Sequence, residues 1–231
     1  SYRCPFGLGG EAGVKAALHF VEHLLQDPES GVCRPAALIL EAVQGEGGVI
    51  AAPRSWLQGI RALTEKLGIV LIIDEVQTGI GRTGQLFACE DAAIVPDILV
   101  MSKAIGGSLP MALLAYREEL DVWQPAGHTG TFRGNQLGMA TGLATLQQII
   151  APGFLAEVRR KGRLLESRLL ALQAASQCVG QVRGRGLTWG LEIVDSRAPA
   201  DALDSHPAWG ELARRIQHEC FARGLIIELG G

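Results

Sequence analysis

The chain has 231 residues, of which 48% are hydrophobic, and its formal net charge at pH 7 is −3. This composition suits one large or two small globular domains with a substantial core, and the near-neutral charge gives no electrostatic basis for binding nucleic acid. No apolar run approaches the roughly 18 residues that a membrane helix needs, and the chain does not open with the basic and apolar regions of a secretory signal.

The cysteines and the chain ends carry further information. The five cysteines are widely spaced and form no CxxC pair, a pattern typical of reduced thiols, so we expect a cytoplasmic protein. The first residue is Ser1 rather than Met, and Gly230 and Gly231 directly follow a strand-like run. We therefore expect the chain to be a fragment of a longer protein.

Residues Glu11 to Gln26 predict the first helix, because apolar residues recur there at three- and four-residue spacing. The same segment contains an HxxEH pattern, which some zinc peptidases use. Its members, His19, Glu22 and His23, lie on the polar face of the predicted helix, and no clear third ligand follows. A solvated helix face is the favoured interpretation, and no metal site is predicted.

Strands and helices then alternate along the chain. Ala36 to Ala42 and Ile69 to Ile73 are short apolar runs that predict buried strands, and Pro53 to Leu67 predicts a helix between them that Gly68 ends. Ile98 to Met101 predicts a further strand. Continuous apolar strands joined by helices predict a mostly parallel sheet covered on both faces, which is a three-layer α/β/α fold.

Three of these strands are followed by ionisable residues, namely Glu41, Asp74 and Lys103. In parallel sheets, ligands bind beyond the carboxyl ends of the strands, so we expect the three side chains to face one site. An apolar strand and a loop of small residues flank Lys103. We therefore expect this lysine to be sheltered rather than an ordinary exposed loop residue.

A glycine-rich loop after the first strand carries a second carboxylate, Glu46, five residues beyond Glu41. Glycines at this place allow a tight turn and the close approach of a ligand. Two interpretations remain open here, a functional loop and a plain polar connection.

Residues 79–84 match the GxGxxG fingerprint of dinucleotide-binding proteins. In that motif the glycines lie directly at a strand-to-helix turn. Here residues 74–78 intervene and no clear helix begins at Gly84, so nucleotide binding is the weaker interpretation.

The later elements divide into two groups. Ala104 to Pro110 is too rich in glycine to predict a helix, Met111 to Tyr116 predicts a strand, and Gln136 to about Ile150 predicts a helix that begins with small residues and hydroxyls. Such a helix start suits a phosphate. After Pro152 the composition changes, and a smaller α+β domain is predicted. Its elements are a helix (Phe154 to Ala174), a hairpin (Val179 to Val194), a helix (Trp209 to Arg223) and a strand (Leu225 to Leu229).

Four motifs occur in order through the first 150 residues: LILEAVQGEGGVI, IIDEVQTGIGRTG, SKAIGGSLPMA and HTGTFRGNQLGMATG. Together they resemble the class III (omega) aminotransferases, which use pyridoxal 5'-phosphate and have the fold called PLP-dependent transferase type I. The resemblance implies that residues 1–150 are part of a large cofactor-binding domain and that residues 151–231 are part of a small C-terminal domain. The GTFRGNQ and SKAIGGSLP forms are most similar to the branch that acts on diaminobutyrate.

The resemblance also implies roles for the cofactor-side residues. Lys103 matches the Schiff-base lysine, which moves protons during the reaction, and Asp74 matches the carboxylate under the pyridine nitrogen. Val76 would pack on the ring face, and Gln77 would hydrogen-bond the ring hydroxyl. Thr131 would reach the phosphate bound in a neighbouring subunit, so the resemblance implies a homodimer.

On the substrate side, Glu46 matches the gate glutamate of the family, which pairs with an arginine so that glutamate and a diamine can share one pocket. Glu41 would support the site near Gln77. The implied reaction is reversible amino transfer from the terminal amine of L-2,4-diaminobutyrate to 2-oxoglutarate, giving L-aspartate 4-semialdehyde and L-glutamate. The family's main phosphate-binding segment and its arginine would lie outside residues 1–231, so we expect weak or no activity from these residues alone.

Three other functions remain as alternatives. The first is another omega-aminotransferase, acting on ornithine, 4-aminobutyrate or acetylornithine. The second is an inactive, cofactor-free fragment or interaction domain. The third and most distant is a dinucleotide-dependent oxidoreductase that depends on Gly79 and Gly81.

Overall fold

The computed structural model describes residues 3–230. The outermost residues of the two predicted domains, positions 1, 2 and 231, lie outside the described residues. Five α-helices are found in the described part: α1 (Gly10–Gln26), α2 (Arg54–Leu67), α3 (Gln136–Ile149), α4 (Phe154–Ala175) and α5 (Gly210–Ala222). It also contains three short 3-10 helices, at Ala88–Ala92, Lys103–Gly106 and Glu118–Leu120. Every predicted α-helix is confirmed, with bounds that differ by one or two residues.

Eight strands form three sheets within residues 3–230. The strands are β1 (Ala37–Leu40), β2 (Val43–Gln44), β3 (Ile50–Ala51), β4 (Val70–Asp74), β5 (Ile98–Met101), β6 (Leu113–Tyr116), β7 (Val179–Arg185) and β8 (Thr188–Ile193). The main sheet has the order β1-β4-β5-β6, in which β1, β4 and β5 are parallel and β6 is antiparallel. The predicted α/β fold with a mostly parallel sheet is confirmed. The pairs β2–β3 and β7–β8 form two small antiparallel sheets.

The core of the main sheet lies between β4 and α2. Leu57 and Ile60 on α2, and Leu71 and Ile73 on β4, are at most 1% exposed. Each such side chain contributes about 1.5–3 kcal/mol through burial. Local chemistry sets the helix bounds, because Pro53 occupies the N-cap and Gly68 ends the helix in the left-handed region at φ +66°.

The predicted hairpin is confirmed as β7 and β8, and it packs against the rest of the chain. Strand β7 contacts β3, and a side chain at Gly186 would place its Cβ 2.4 Å from the backbone of Thr83. The division into a large domain ending at residue 150 and a smaller domain after it stays a prediction. Among residues 3–230, no helix is both long enough and apolar enough to cross a membrane.

Two predictions of local structure are wrong. Residues 225–229 form no strand, because no strand of the described chain lies beside them to complete a hydrogen-bond ladder, and Ile226 is 80% exposed. The glycine-rich segment after β5 does contain a helix, the single 3-10 turn Lys103–Gly106. A turn of this type needs three residues per turn and tolerates a short, glycine-containing stretch.

Asp97 ties the start of β5 to its neighbouring strands. Its Oδ2 accepts hydrogen bonds from the Leu71 N–H (2.8 Å) and the Arg61 guanidinium (2.9 Å), and its Oδ1 pairs with Arg117 at 3.0 Å. Desolvation raises the pKa of this carboxyl, but the hydrogen bonds from Leu71 and Arg61 outweigh it, so the pKa lies below its ordinary value. The ionised form therefore stabilises the fold.

We expect Asp97→Asn to lower the free energy of unfolding by about 3 kcal/mol at pH 7, because the largely buried Arg61 loses the more buried of its two carboxylate partners. A carboxyl with a depressed pKa stabilises the fold above its unfolded pKa of about 3.9 and loses that contribution as the pH falls through the folded value. The difference between wild type and variant should therefore shrink below about pH 4 in urea titrations. The exposed Asp204→Asn is the matched control. A difference that does not change with pH would contradict this account.

Candidate functional site

The parallel register brings the predicted polar residues to one edge of the sheet. Leu40 of β1 pairs with Ile73, so Glu41 follows β1 next to the end of β4, where Asp74 lies. Asp74 pairs with Val100 of β5, and Lys103 follows three residues later. Neighbouring strands lie about 4.8 Å apart. The structure therefore places these three side chains on three successive strand ends, as the sequence predicts.

Asp74 is fixed by the turn that follows it. Its Oδ1 accepts a hydrogen bond from the Val76 N–H at 2.9 Å, which is an Asx-type turn. The side chain is partly buried. This bond sets the direction of the carboxylate and places Val76 directly beside it in the same turn.

Gln77 and Glu46 are brought together from different segments. Gln77 Nε2 donates a hydrogen bond to Glu46 Oε1 at 3.0 Å. A side chain at Gly45 would place its Cβ 1.4 Å from Gln77 Oε1 and would displace the Gln77 amide from this position. Glu41, which we expect near Gln77, makes no hydrogen bond to it within residues 3–230. The carboxylate that meets Gln77 is the one in the glycine-rich loop.

Lys103 adopts an unusual backbone conformation, with φ +48°. The preceding residue, Ser102, anchors the turn by donating from Oγ to the Met111 carbonyl at 2.8 Å. The expectation that Lys103 is sheltered is wrong, because its side chain is exposed. Strand β6, which pairs with β5, is also exposed along its length.

Helix α3 packs closely on the Lys103 turn because its facing positions are small. A Cβ at Gly142 would lie 3.2 Å from the Ile105 carbonyl oxygen, and one at Gly107 would lie 2.7 Å from Thr145 Oγ1. The glycines at these places keep the turn that carries Lys103 against α3.

The start of α3 differs from the expectation of free N–H groups for a phosphate. Asn135 caps the helix, and its Oδ1 accepts hydrogen bonds from the Leu137 and Gly138 N–H groups at 2.9 and 3.2 Å. Two of the donors at this helix start are therefore already used. Thr131 lies in the exposed loop before the cap, and no hydrogen bond joins it to the sheet edge within residues 3–230.

Glu75 is a structurally important residue that the sequence analysis missed. It is fully buried, its Oε1 accepts from the Cys89 N–H at 2.9 Å, and its Oε2 accepts from the Thr78 hydroxyl at 2.8 Å. Burial raises the pKa of Glu75, against the effect of these hydrogen bonds, and burial with the nearby Glu75 raises the pKa of the Cys89 thiol to about 12. Successive residues at a strand end point to opposite faces, so Glu75 should point away from the site edge and into the core when Asp74 faces that edge. This alternation is the signal that could have identified Glu75.

The two motifs of other site classes do not form those sites. No helix begins at Gly84, and residues 79–84 instead form turns held by Arg159, which donates to the Gly84 carbonyl at 2.7 Å. In the HxxEH segment, Glu22 binds Lys66 and His23 pairs with Asp27. No cluster of metal-binding side chains is found among residues 3–230.

Comparison with known proteins points in one direction. A family model described as aminotransferase class III matches residues 11–231. The chain is 55% identical over 230 residues to a diaminobutyrate–2-oxoglutarate aminotransferase of Haemophilus influenzae, covering 100% of the chain and 51% of that protein. It is 52% identical over 231 residues to the protein of the same name in Rhizobium meliloti, covering 100% of the chain and 49% of that protein. The chain thus spans about half the length of the curated relatives that it matches.

Solved structures agree with this match. An (S)-enantioselective omega-transaminase of Thermomicrobium roseum superposes with a TM-score of 0.84 at 29% identity, covering 98% of this chain and 51% of the other. A taurine:2-oxoglutarate aminotransferase of Bifidobacterium kashiwanohense, solved in complex with PLP and glutamate, superposes with a TM-score of 0.80 at 26% identity. It covers 95% of this chain and 50% of the other.

We expect Glu75→Ala to lower the free energy of unfolding by about 3 kcal/mol, because the buried Cys89 N–H and Thr78 hydroxyl both lose their acceptor. Glu75→Gln is the matched control, since an amide still accepts from Cys89 and can donate to Thr78, and it should lose much less. Denaturant titration measures both variants. Equal losses for the two substitutions would show that the hydrogen bonds are not what stabilises this turn.

Proposed function

The chain belongs to the class III aminotransferases, and from this we propose that the protein transfers the terminal amino group of L-2,4-diaminobutyrate to 2-oxoglutarate with pyridoxal 5'-phosphate as cofactor. The products are L-aspartate 4-semialdehyde and L-glutamate, and the reaction is reversible. The observation that carries this proposal is the placement of Asp74 and Lys103 on adjacent parallel strand ends, in a chain that is 52–55% identical throughout to proteins named for this reaction.

The residues present fit the cofactor. Pyridoxal phosphate has a ring nitrogen, a ring hydroxyl and an aldehyde, and these call for a carboxylate, an amide and an amine. Asp74, Gln77 and Lys103 supply these groups along one sheet edge, and the missing side chain at Gly45 leaves room for Gln77. Lys103 is exposed at this edge and therefore accessible to an aldehyde. We assign Asp74 to the ring nitrogen, Gln77 to the ring hydroxyl and Lys103 to the aldehyde.

Bound pyridoxal phosphate supplies an electron sink for the carbon that loses its proton. Asp74 would hold a proton on the ring nitrogen, since a carboxylate beside a cationic nitrogen contributes about 4 kcal/mol at an effective dielectric near 20, which is about three powers of ten in the protonation equilibrium of that nitrogen. The Lys103 amine would take the proton from the amine-bearing carbon of the substrate and deliver it to the aldehyde carbon of the cofactor. Val76, beside Asp74 in its turn, would pack on the ring face.

The substrate side rests on Glu46 and Glu41. Glu46 accepts a hydrogen bond from Gln77, so a change at Glu46 in the substrate pocket alters a contact of a residue that we assign to the cofactor. We assign Glu46 as the residue that lets an amine and glutamate share one pocket, with Glu41 in support. We further propose a homodimer, in which Thr131 binds the phosphate held by the partner subunit. The exposure of the Thr131 loop is compatible with that role.

Two further points complete the proposal. The five cysteines are present as thiols, which favours the reducing cytoplasm as the location of the protein. Residues 151–231 are proposed as part of a small domain beside the large cofactor-binding domain of residues 1–150. That residues 1–231 alone have weak or no activity stays a prediction.

Initial rates with a panel of amino donors test the substrate assignment. In the full-length protein, we expect kcat/KM for 2,4-diaminobutyrate to exceed that for ornithine, 4-aminobutyrate and acetylornithine by at least about tenfold, since one mispositioned charged group costs about 1.4 kcal/mol or more. A preference for one of the other donors would assign the protein to another omega-aminotransferase activity. No turnover with any of them would contradict the proposed function.

Lys103→Ala should abolish both turnover and the visible absorbance of the purified full-length protein. Pyridoxal phosphate that is joined to a lysine absorbs visible light, and the alanine variant has no amine at residue 103 with which to join the aldehyde of the cofactor. Borohydride should bleach the wild type and add the mass of the cofactor to the peptide that contains Lys103. Lys66→Ala, an exposed lysine on α2, is the control and should stay coloured. A wild-type protein that remains colourless with added cofactor would favour the interaction-domain alternative.

A further inference from the structure

Loop 45–49, which carries Glu46, has a backbone conformation that its own residues disfavour. Val49 has φ +56°, where a branched side chain is strained, and Gly48 has φ +104°. Within the loop, the Gly48 and Val49 N–H groups both donate to the Gly45 carbonyl, at 3.0 and 3.1 Å. A strained loop of this kind persists only when surrounding contacts hold it in place.

The side chain of Glu46 does little to hold the loop. It is exposed, and its hydrogen bond is the one from Gln77 at 3.0 Å. The position of the Glu46 carboxylate therefore depends on where the backbone of loop 45–49 is fixed. The residue that fixes this backbone controls the contact between Glu46 and Gln77.

Arg183 on β7 makes that connection. Its Nε donates to the Gly48 carbonyl at 2.6 Å, across 135 residues of sequence. Its Nη1 pairs with Glu192 on β8 at 2.5 Å, so the other side of the guanidinium is anchored in the hairpin. The side chain is largely buried, and both contacts use the fixed fork of the guanidinium.

The hairpin backbone lies directly against the same loop. A Cβ at Gly190 of β8 would lie 3.1 Å from Val49 Cβ and 3.3 Å from the Gly48 carbonyl oxygen. The side chain of Arg183 and the backbone of β8 therefore both reach the loop at Gly48, and β8 also reaches Val49. Both contacts fix the segment immediately after Glu46.

From these contacts we propose that Arg183 is a positioning residue, which holds loop 45–49 so that Glu46 rests on Gln77 and thereby sets how well the site uses its amine substrate relative to glutamate. This rests on the proposed function, in which Glu46 lets the amine and glutamate share one pocket. Arg183 touches neither substrate nor cofactor in this scheme. Because it acts through Glu46, its loss should change kcat/KM for the amine substrate and for glutamate by different factors.

The test is a comparison of both half-reactions in the full-length protein. Arg183→Met should lower kcat/KM for diaminobutyrate by about tenfold, the effect of losing one charge-assisted hydrogen bond, while kcat/KM for glutamate changes by less than about threefold. Glu46→Gln should change the two kcat/KM values in the same pattern as Arg183→Met does. The double variant should be no worse than the worse single variant, because both changes disrupt one contact.

Arg185→Met is the matched control. Arg185 also extends from β7, donates to the Ala52 carbonyl at 3.2 Å and pairs with Asp91, but it does not reach loop 45–49. Its loss should leave the ratio of the two kcat/KM values unchanged. If Arg183→Met is unstable, Arg183→Lys serves in its place. It keeps a positive charge beside Glu192 and should fold normally. Because it lacks the guanidinium fork, it should show the same unequal change in kcat/KM.

Hydrogen exchange gives a readout that does not depend on activity. In Arg183→Met, the Gly48 and Val49 amides should exchange about tenfold faster, because the bonds that close the loop open more often. Unchanged exchange, equal losses with both substrates, or additivity with Glu46→Gln would each overturn the proposal. A wild type that does not transaminate would contradict the proposed function instead, and exchange would still decide whether Arg183 holds the loop.

Discussion

The parallel pairing of β1, β4 and β5 is the constraint on which the site depends. Parallel hydrogen-bond ladders require all three strands to end at the same edge, so whatever follows each strand is delivered to one place. Asp97 fixes the register at the opposite end of β5 by binding the Leu71 N–H of β4. Asp74 and Lys103 therefore follow one another across neighbouring strand ends because of backbone geometry. Side-chain contacts in the turns beyond the strands then decide only how each group is aimed.

Two layers of support lie behind this edge. The turn after Asp74 is held from the core side by Glu75, a buried carboxylate that binds the 3-10 helix of residues 88–92. The loop that carries Glu46 is held from the opposite direction by the hairpin. The turn after Asp74 and the loop that carries Glu46 thus have separate anchors, and the hydrogen bond between Gln77 and Glu46 joins them. A change in one anchor is expected to reach the other side through this single bond.

The features that local chemistry determines could be predicted from the sequence. Pro53 and Gly68 bound α2 because a missing N–H and a left-handed end are properties of single residues. Continuous apolar runs predicted the parallel strands, and with them the gathering of polar strand ends. What failed depends on partners far away in the chain. Lys103 is exposed because nothing in the described residues covers it, and residues 225–229 are not a strand because no strand pairs with them there. The partner of Gln77 also depended on how a strained loop folds back.

The backbone of Lys103 has a consequence for anyone who wishes to transplant this chemistry. At φ +48° the position suits glycine, yet the role that we propose for this residue needs a long amine there. The backbone conformation therefore disfavours the side chain that the proposed role needs. The contacts of the surrounding turn must offset this strain. Ser102 and the glycines that face α3 hold the turn in which Lys103 lies. A lysine grafted onto the end of another parallel strand, without this turn and helix, would relax to an ordinary conformation and point its amine elsewhere.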